Sequence, residues 1–407
     1  MESRIVIVGA GPAGITVAET VRERDRDVDI TILSSEPFPP YAPPAMADYF
    51  LTGRDSTLFW KGRDICERLK LEYRANTRVK SLAPKTRELS LTDGSVLSYG
   101  RLVIATGSGL YAPVTGHDLQ GVYNFKSLSA AKQLVDGVRA GQIRRAIIVG
   151  AGFIGVELAL LLQDLNVAVT MIEMQDRLMS RMLEPETAEI VAENVRARGA
   201  EVRFDTRGEA FLGDHDVTGV KLESGEVLHA DAYIAATGVK PVIEWLEGSG
   251  VETSWGVIVD DLQRTNIPGI YAAGDVAETR DRMTSERYVH AIFPNAVAQA
   301  RVVAHGLLGF ELPYEGAETM NSLKHLGVEV MAVGAQSGEE TLRWRKHGVL
   351  RKLFLTDGRI VGFRLAGDIR AAGVYRSLML RRVDVTPFRD HLLDPRPGAA
   401  WFSSAVV

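Results

Sequence analysis

Cysteine is almost absent from this 407-residue chain, which contains a single one, Cys66. One thiol cannot form an internal disulfide, supply a redox dithiol or bind an iron–sulfur cluster alone. Within the helix-like stretch "RDICERLKLEY", a small packed hydrophobe is the favoured role for this residue. Any redox chemistry of the chain therefore needs a cofactor.

The sequence also lacks histidines spaced as metal ligands and an excess of basic residues. The eight histidines are scattered, so we predict no metal site. A net charge of −5 offers no footprint for a polyanion, so no nucleic-acid partner is expected.

The sequence also lacks a clear membrane or export segment. The longest apolar run, residues 146–162, contains glycines and Glu157, which predicts a buried strand, turn and helix and no membrane association. The chain enters a strand at Arg4 without a charged leader, an apolar stretch and a cleavage site. This start predicts no export signal and a cytoplasmic location.

Two stretches share a glycine-rich pattern typical of dinucleotide binding, "RIVIVGAGPAGITVAE" and "RAIIVGAGFIGVELAL". Each follows an apolar strand and precedes a helical segment that returns to another apolar strand. The first glycine makes the tight turn, the second lets backbone approach a pyrophosphate, and the third lets helix pack on strand. The residues concerned are Gly9, Gly11, Pro12, Ala13 and Gly14 in the first copy and Gly150, Gly152, Phe153, Ile154 and Gly155 in the second. Two copies in matching contexts predict two nucleotide sites.

An acid at the end of the second strand of each copy bears on which nucleotide binds. Glu173 closes "VTMIE", where a carboxylate accepts hydrogen bonds from an adenosine ribose and repels a 2′-phosphate, which favours NAD over NADP. The corresponding place in the first copy is Ser35 followed by Glu36. We expect Glu36 to contact the ribose there, with a solvated loop acid as the alternative.

Three further strand ends complete the predicted sites. "LVIATGS" and "YIAATGVKP" contribute Ala105, Thr106, Gly107 and Gly238, small residues that allow the chain to pass close to a nucleotide. "NIPGIYAAGDVAE" stops at Gly274 and Asp275, where a carboxylate can bind sugar hydroxyls and the following amides can face a flavin carbonyl. A helix beginning near Pro294 can direct its positive end at a reduced flavin.

Together these motifs resemble the FAD- and NAD(P)-dependent flavoproteins of the pyridine nucleotide-disulfide oxidoreductase fold, over about residues 3–310. The resemblance implies FAD on the first glycine motif and Asp275, and NAD on the second motif and Glu173. It also places Glu157 between flavin and nicotinamide as the catalytic acid. A solvent-facing glutamate is the alternative, less favoured because the flanking helix is apolar. A tightly held FAD and a diffusible NAD(H) could then exchange a hydride.

The order of motifs predicts an α/β architecture with two Rossmann-like domains and a C-terminal α+β domain. The FAD domain comprises residues 1–111 and 238–310, the inserted NAD domain 112–237, and the C-terminal interface domain 311–407. Hairpins are expected in "LSLTDGSVLSY" and "VKLESGEVLHAD". Antiparallel strands with an Asp357-Gly358 turn and a helix at "GVYRSLMLRR" are expected in the last domain.

The loop 37–55 departs from the family pattern. It lacks the redox cysteines of disulfide reductases, which excludes that activity. Ferredoxin-reductase relatives carry Tyr-x-Arg and then a lysine near the flavin, whereas this chain has Tyr41, Pro43 and, at the lysine position, Asp48. The flavin-activating Lys–Glu pair therefore lacks its cation. Tyr41 stays a cofactor-binding candidate, and proline-rich packing explains the loop equally well.

This loop, "MNSLKHLGVEVMAVG" and "LMLRRVDVTPFRDHL" most resemble NAD-reducing flavoprotein subunits of anaerobic multi-subunit dehydrogenases, such as phenylglyoxylate dehydrogenase and tungsten-dependent aldehyde oxidoreductase. The resemblance implies an iron–sulfur partner that exchanges electrons with NAD+/NADH through the flavin. The alternatives are a free-standing NADH:rubredoxin or ferredoxin reductase and a non-catalytic NADH-binding signalling flavoprotein. From Glu311 onward the chain has 14 Lys and Arg residues and 11 Asp and Glu residues, a small excess of positive charge. This excess predicts either a docking surface for an acidic partner or a charged face in contact with solvent.

Overall fold

The computed structural model describes residues 4–323, 327 and 329–394. Contacts divide the chain into two compact units. The first unit comprises the residues up to Tyr111, Asn124–Val135 and Gly238–Ala317; the second comprises Ala112–Tyr123, Asp136–Thr237 and the described residues from Glu318 onward. The three-domain division expected from the sequence stays a prediction, because a grouping by contacts does not show which cofactor each part binds. Part of "MNSLKHLGVEVMAVG", residues 324–326 and 328, lies outside the described residues.

The first unit is built on a parallel five-stranded sheet whose central strands consist mainly of buried β-branched and leucine residues. Its strands lie in the order Ile270–Ala272, Arg101–Ile104, Ile5–Val8, Ile30–Leu33, Glu72–Arg74. Because the connections run in opposite directions from Ile5–Val8, the carboxyl end of that strand is the switch point where α/β sheets bind ligands.

The remaining elements of the first unit surround this sheet. The strands are Val79–Ala83, Glu88–Leu91, Val96–Ser98, Ser108–Leu110, Val239–Pro241, Val257–Ile258, Ala277–Arg280 and Arg287–Tyr288. The helices are Pro12–Arg24, Met46–Thr52, Asp55–Leu58, Ile65–Arg68 and Phe293–Leu307, with 3-10 turns at Pro43–Ala45 and Glu244–Leu246. Helix Leu128–Arg139 begins in this unit and ends in the second. The hairpin expected in "LSLTDGSVLSY" is confirmed.

The second unit repeats the parallel arrangement. Its sheet has the order Glu201–Arg203, Ala168–Ile172, Arg145–Val149, Ala232–Ala235, Val122–Tyr123. Helices Phe153–Asp164 and Pro185–Ala197 and the antiparallel strands Gly208–Leu212, Gly219–Leu222 and Val227–Leu228 complete this part. Four strands of each sheet share one spatial order and one set of connections, whereas the edge strand comes last in the chain order of the first sheet and first in that of the second. These parallel sheets confirm the predicted pair of Rossmann-like folds and the α/β class.

An antiparallel sheet follows in the second unit. Its order is Met320–Leu323, Val330–Gly334, Arg359–Ala366, Val349–Thr356, Glu340–Lys346, followed by helix Ala372–Leu380 and a 3-10 turn at Thr386–His391. The predicted strands, helix and Asp357-Gly358 turn are confirmed, and both turn residues have positive φ, 49° and 67°. Among the described helices, none is long and apolar enough to cross a bilayer.

Candidate functional site

The first glycine turn follows strand Ile5–Val8 and leaves no room for side chains at two of its glycines. Gly9 has a φ of +116°, and a Cβ there would lie 2.0 Å from the main-chain oxygen of Ala105. A Cβ at Gly14 would lie 2.0 Å from the oxygen of Gly9. At Gly11, by contrast, nothing lies within 4 Å of an added Cβ. The turn is thus tightly packed at Gly9 and Gly14 and leaves open space at Gly11.

The second glycine turn reproduces this arrangement after strand Arg145–Val149. Gly150 has a φ of +103°, and its Cβ would lie 2.5 Å from the oxygen of Ala236. A Cβ at Gly155 would lie 2.2 Å from the oxygen of Gly150, whereas Gly152 again has open space. Both Ala-Thr-Gly strand ends therefore pass directly against a glycine turn, Ala105 in one unit and Ala236 in the other.

Each turn leads into a helix that no side chain caps. Gly11 and Gly152 are the residues before helices Pro12–Arg24 and Phe153–Asp164, and among the described residues no side chain forms a capping hydrogen bond at either start. The first N–H groups of a helix lack internal acceptors and lie at its positive end. The open space over each second glycine and these amides fit a dinucleotide pyrophosphate in both units.

Glu173 is held against the second glycine turn. It follows strand Ala168–Ile172, and only 9% of its surface is exposed. One carboxylate oxygen, Oε2, accepts a hydrogen bond from the amide of Ala151 at 2.7 Å, and Oε1 accepts one from the amide of Gln175 at 2.9 Å. These bonds fix the carboxylate beside the turn, as a ribose-binding role requires.

The equivalent position in the first unit is occupied by Ser34. The amide of Gly9 donates to the oxygen of Leu33 at 2.8 Å, just as the amide of Gly150 donates to the oxygen of Ile172 at 2.8 Å. Glu173 therefore corresponds to Ser34. The sequence predicted Ser35 as its counterpart, which is one residue too far along the chain. Ser35 is exposed.

Glu36 and Tyr41 meet at the start of helix Leu128–Arg139. The Oε2 of Glu36 accepts a hydrogen bond from the amide of Ser129 at 3.0 Å. The hydroxyl of Tyr41 accepts one from the amide of Leu128 at 3.0 Å and donates to Oε2 of Glu36 at 3.5 Å. Burial raises the pKa of Tyr41 above its usual value, so this hydroxyl stays protonated. The ribose contact expected of Glu36 stays a prediction.

Two polar residues that the sequence analysis missed bind Asp275. Its Oδ2 accepts a hydrogen bond from Oγ of Ser108 at 2.7 Å and from Nζ of Lys126 at 3.2 Å. All three residues belong to the first unit. Lys126 precedes a helix start in "NFKSLS", which is the only local signal the sequence offers for it. Asp275 is therefore a partly exposed carboxylate with a cation and a hydroxyl beside it, a donor set suited to a sugar or phosphate chain.

The Gly274-Asp275 motif, the first glycine turn and helix Phe293–Leu307 converge. A Cβ at Gly274 would lie 3.0 Å from the Cβ of Ala13 and 3.7 Å from that of Ala296. The amide of Gly274 donates to Oε1 of the buried Gln299 at 2.7 Å. The helix begins one residue before Pro294 and has no side-chain cap, so its positive end stays available.

The remaining predicted strand-end residues are fixed by backbone contacts within the first unit. The hydroxyl of Thr106 donates to the oxygen of Val242 at 2.8 Å, and the amide of Val242 donates to the oxygen of Gly107 at 3.0 Å. The amide of Tyr111 donates to the oxygen of Gly238 at 2.9 Å. These bonds join residues of each Ala-Thr-Gly segment to the chain that follows the other segment.

Glu157 lies in helix Phe153–Asp164 of the second unit, shortly after Phe153 and Ile154. Burial raises its pKa to about 7. Within the part of the chain that the structure describes, no hydrogen bond or ion pair is found for its carboxyl group. At neutral pH this group is therefore partly protonated, a state suited to proton transfer. Its expected place between two cofactors stays a prediction.

The positions that depart from the family pattern are ordinary structural residues. Pro43 begins a 3-10 turn, and Oδ2 of Asp48 accepts a hydrogen bond from the hydroxyl of Thr57 at 3.1 Å. Burial raises the pKa of the Cys66 thiol to about 11, which makes it a poor nucleophile. No group of three metal-binding side chains occurs among the described residues.

The glycine turns, the acid after the second one and the Gly274-Asp275 motif agree with one family. Residues 3–300 match the family described as pyridine nucleotide-disulphide oxidoreductase. The chain belongs to this family. The predictions of an FAD- and NAD-dependent oxidoreductase and of its cofactors are thereby confirmed.

Individual relatives extend the match to nearly the whole chain. The chain is 29% identical to the NADH-dependent phenylglyoxylate dehydrogenase subunit epsilon of Aromatoleum evansii, covering 96% of this chain and 94% of that one. It is 32% identical to a rubredoxin-NAD(+) reductase of Pseudomonas putida, over 76% of this chain and 81% of that one. The structure of the ferredoxin reductase for the CYP199A2 system of Rhodopseudomonas palustris has a TM-score of 0.88 at 25% identity, with coverage of 98% and 99%.

Proposed function

We propose that this FAD-dependent NAD(H) oxidoreductase passes electrons between NAD(H) and an iron–sulfur protein, as the NAD+-reducing subunit of a multi-subunit dehydrogenase. The observation that carries the proposal is a pair of intact nucleotide turns in a chain whose one thiol is buried. Electrons that reach the flavin cannot continue to a dithiol of the same chain, so they pass to another molecule. The near end-to-end similarity to a dehydrogenase subunit favours a protein partner.

The residues of the first unit bind and orient the flavin nucleotide. FAD, when bound, supplies hydride exchange with nicotinamide and single-electron exchange with the partner. The N–H groups of Ala13 and Gly14, which follow Pro12, would bind the pyrophosphate, and Asp275 with Lys126 and Ser108 would bind the polar chain that follows. The positive end of helix Phe293–Leu307 would favour negative charge on a flavin ring bound beside it.

The residues of the second unit select and orient the nicotinamide nucleotide. The amides after Gly152 would bind the second pyrophosphate. The carboxylate of Glu173 would accept hydrogen bonds from the ribose hydroxyls and repel a 2′-phosphate. Because burial raises the pKa of Glu157 to about 7, its carboxyl group can take up or release a proton at neutral pH. The proposal includes the cytoplasmic location expected from the sequence.

Electron delivery from a defined iron–sulfur donor tests the proposal. A reduced bacterial-type ferredoxin would be mixed anaerobically with the flavin-loaded protein and NAD+, and NADH formation would be followed by its near-ultraviolet absorbance. We expect NADH to form with the wild type and not with a Gly150→Ala variant that retains flavin. Flavin that is reduced by NADH but exchanges no electrons with the ferredoxin would contradict the iron–sulfur assignment.

A free-standing reductase is the second candidate, favoured by the 32% identity to a rubredoxin-NAD(+) reductase. The two candidates differ in assembly. Anaerobic purification of the untagged protein from its native cells would yield a large complex with a cluster-bearing subunit in the first case. A monodisperse flavoprotein of the 44.5 kDa chain or its simple oligomer would support the second.

A further inference from the structure

The start of helix Leu128–Arg139 is fastened by side chains from a distant loop of the first unit. Glu36 and Tyr41 follow strand Ile30–Leu33 and accept hydrogen bonds from the amides of Ser129 and Leu128, both at 3.0 Å. Amides at a helix start lack internal acceptors, and a carboxylate is favoured at the positive end. The two side chains also share a bond of 3.5 Å, so they act as one polar clamp.

The residues just before this helix are fixed as well. The amide of Lys126 donates to Oδ1 of Asn124 at 3.0 Å, and the ring of the buried Phe125 lies 6.1 Å from that of Phe50. From this anchored segment the Nζ of Lys126 reaches Oδ2 of Asp275 at 3.2 Å. A lysine side chain has several rotatable bonds, so the position of its backbone decides whether this contact forms.

We propose that Glu36 and Tyr41 are positioning residues that hold the helix start so that Lys126 reaches Asp275, and that they thereby set the affinity for FAD. This inference rests on the proposed function in placing FAD at Asp275. The two residues then act on the cofactor through Lys126. A direct ribose contact by Glu36 is the competing account.

A double-mutant cycle separates action through Lys126 from direct contact. FAD dissociation constants of the deflavinated protein would be measured by flavin fluorescence for the wild type, Tyr41→Phe, Glu36→Ala, Lys126→Met and the two double variants. Tyr41→Phe keeps the ring and the Phe50–Phe125 contact, so the fold is expected to survive. We expect each single variant to raise the dissociation constant about fivefold to tenfold. In the Lys126→Met background the other two substitutions should add less than about twofold.

Hydrogen exchange provides a readout that does not depend on FAD. Amides of residues 126–131 should exchange faster in Tyr41→Phe and Glu36→Ala than in the wild type. Glu36→Gln should restore slow exchange, because the amide oxygen can still accept the bond from Ser129. Thr57→Val is the matched control: it removes a hydroxyl bond of 3.1 Å to Oδ2 of Asp48, and among the described residues no contact between Thr57 and the helix start is found. Its exchange at 126–131 and its FAD affinity should not change.

Two results would overturn the inference. The first is that Tyr41→Phe and Glu36→Ala lower FAD affinity as much in the Lys126→Met background as in the wild type. Glu36 and Tyr41 would then contact FAD directly. Unchanged affinity in both variants would show that the clamp has no bearing on the cofactor. A wild-type protein that binds no FAD would instead overturn the proposed function itself, together with this inference.

Discussion

The two glycine turns share a backbone geometry and differ in the side chains around it. Gly11 and Gly152 have φ of −74° and −71°, both with ψ of −172°. Where the second unit has Glu173, the first has Ser34. Two residues after the third glycine, the second unit has Glu157 and the first has the buried Thr16. Under the proposed assignment, the common backbone would bind what FAD and NAD share, the pyrophosphate, and the side chains would distinguish the two nucleotides.

The turns also differ in how much of each is covered. Gly11 is half-buried, and the Gly274-Asp275 motif packs beside its helix in the same unit. Gly152 is exposed, and Met174, next to Glu173, is 59% exposed. A covered turn suits a resident flavin, whereas an open one suits a nucleotide that must leave after each turnover.

Replacing the first glycine of each turn by alanine should produce the largest losses of nucleotide affinity. Each substitution should affect one nucleotide and leave the other bound. In Gly9→Ala and Gly150→Ala, the new Cβ would overlap a main-chain oxygen at a positive φ, which costs more than about 3 kcal/mol. We expect a loss of more than about 100-fold in FAD affinity for the first variant. The second should retain FAD and lose NADH binding to a similar degree.

Two control variants separate the effect of steric overlap by the new Cβ from the effect of a positive φ. Gly94 and Gly141 also have positive φ, 88° and 71°, with nothing within 4 Å of an added Cβ. Gly94→Ala and Gly141→Ala should leave both affinities within about twofold. Loss of NADH binding in Gly9→Ala protein that is fully loaded with FAD would break the assignment of one nucleotide to each turn.

Replacing Glu173 by serine would give the second turn the side chain of the first. The substitution leaves the amides of Ala151 and Gln175 without their acceptors and removes the charge that repels a 2′-phosphate. We expect NADH to bind about 10- to 100-fold more weakly, and the preference over NADPH to shrink. Dissociation constants from the rate of flavin reduction at varied NADH and NADPH would measure both. An unchanged preference would remove Glu173 as the selecting residue.

Removing the carboxylate of Asp275 should weaken the first site alone. Asp275→Ala abolishes the contacts with Ser108 and Lys126, so we expect FAD affinity to fall about tenfold or more and flavin to be lost during purification. Ser108→Ala, which removes one of these two contacts, should have a smaller effect. Full flavin occupancy in Asp275→Ala would show that this motif does not hold the cofactor.

Glu157 should make the free energy of unfolding depend on pH. Its folded pKa of about 7 lies above the ordinary 4.5, so the native state binds more protons between these values and stability falls as pH rises through this window. Glu157→Gln should match the wild type below the window and exceed its free energy of unfolding by about 1–3 kcal/mol above it. Urea denaturation of the flavin-free protein at both pH values would measure this difference. Glu193→Gln, on an exposed residue of helix Pro185–Ala197, is the control for loss of a helical carboxylate and should change the free energy of unfolding by less than about 0.5 kcal/mol.

Features that depend on local chain geometry could be predicted from the sequence. The spacing of Gly9, Gly11 and Gly14 encodes a backbone path, because a main-chain oxygen lies too close for a Cβ at Gly9 and Gly14, while Gly11 leaves space for a ligand. The Asp357-Gly358 turn was predictable for the same reason, since its residues adopt positive φ at low cost. Packing of Cys66 followed from composition alone.

Contacts between distant segments could not be predicted. No spacing rule connects Lys126 with Asp275, or Glu36 with the amide of Ser129, because these pairs meet only when the strands are ordered in the sheet. The displaced match of Glu173 with Ser34 has a different cause. Strand Ile30–Leu33 ends before a run of two serines, so the polarity pattern does not show which of them follows the strand.

Anaerobic stopped-flow mixing of the flavin-loaded protein with NADH, and separately with NADPH, tests the central claim most directly. Two turns that hold different nucleotides predict rapid loss of the visible absorbance of oxidised flavin with NADH, saturating as NADH fills its own site, and slow or no loss with NADPH. Flavin that stays oxidised with NADH, or NADH that displaces FAD from the protein, would contradict two separate sites.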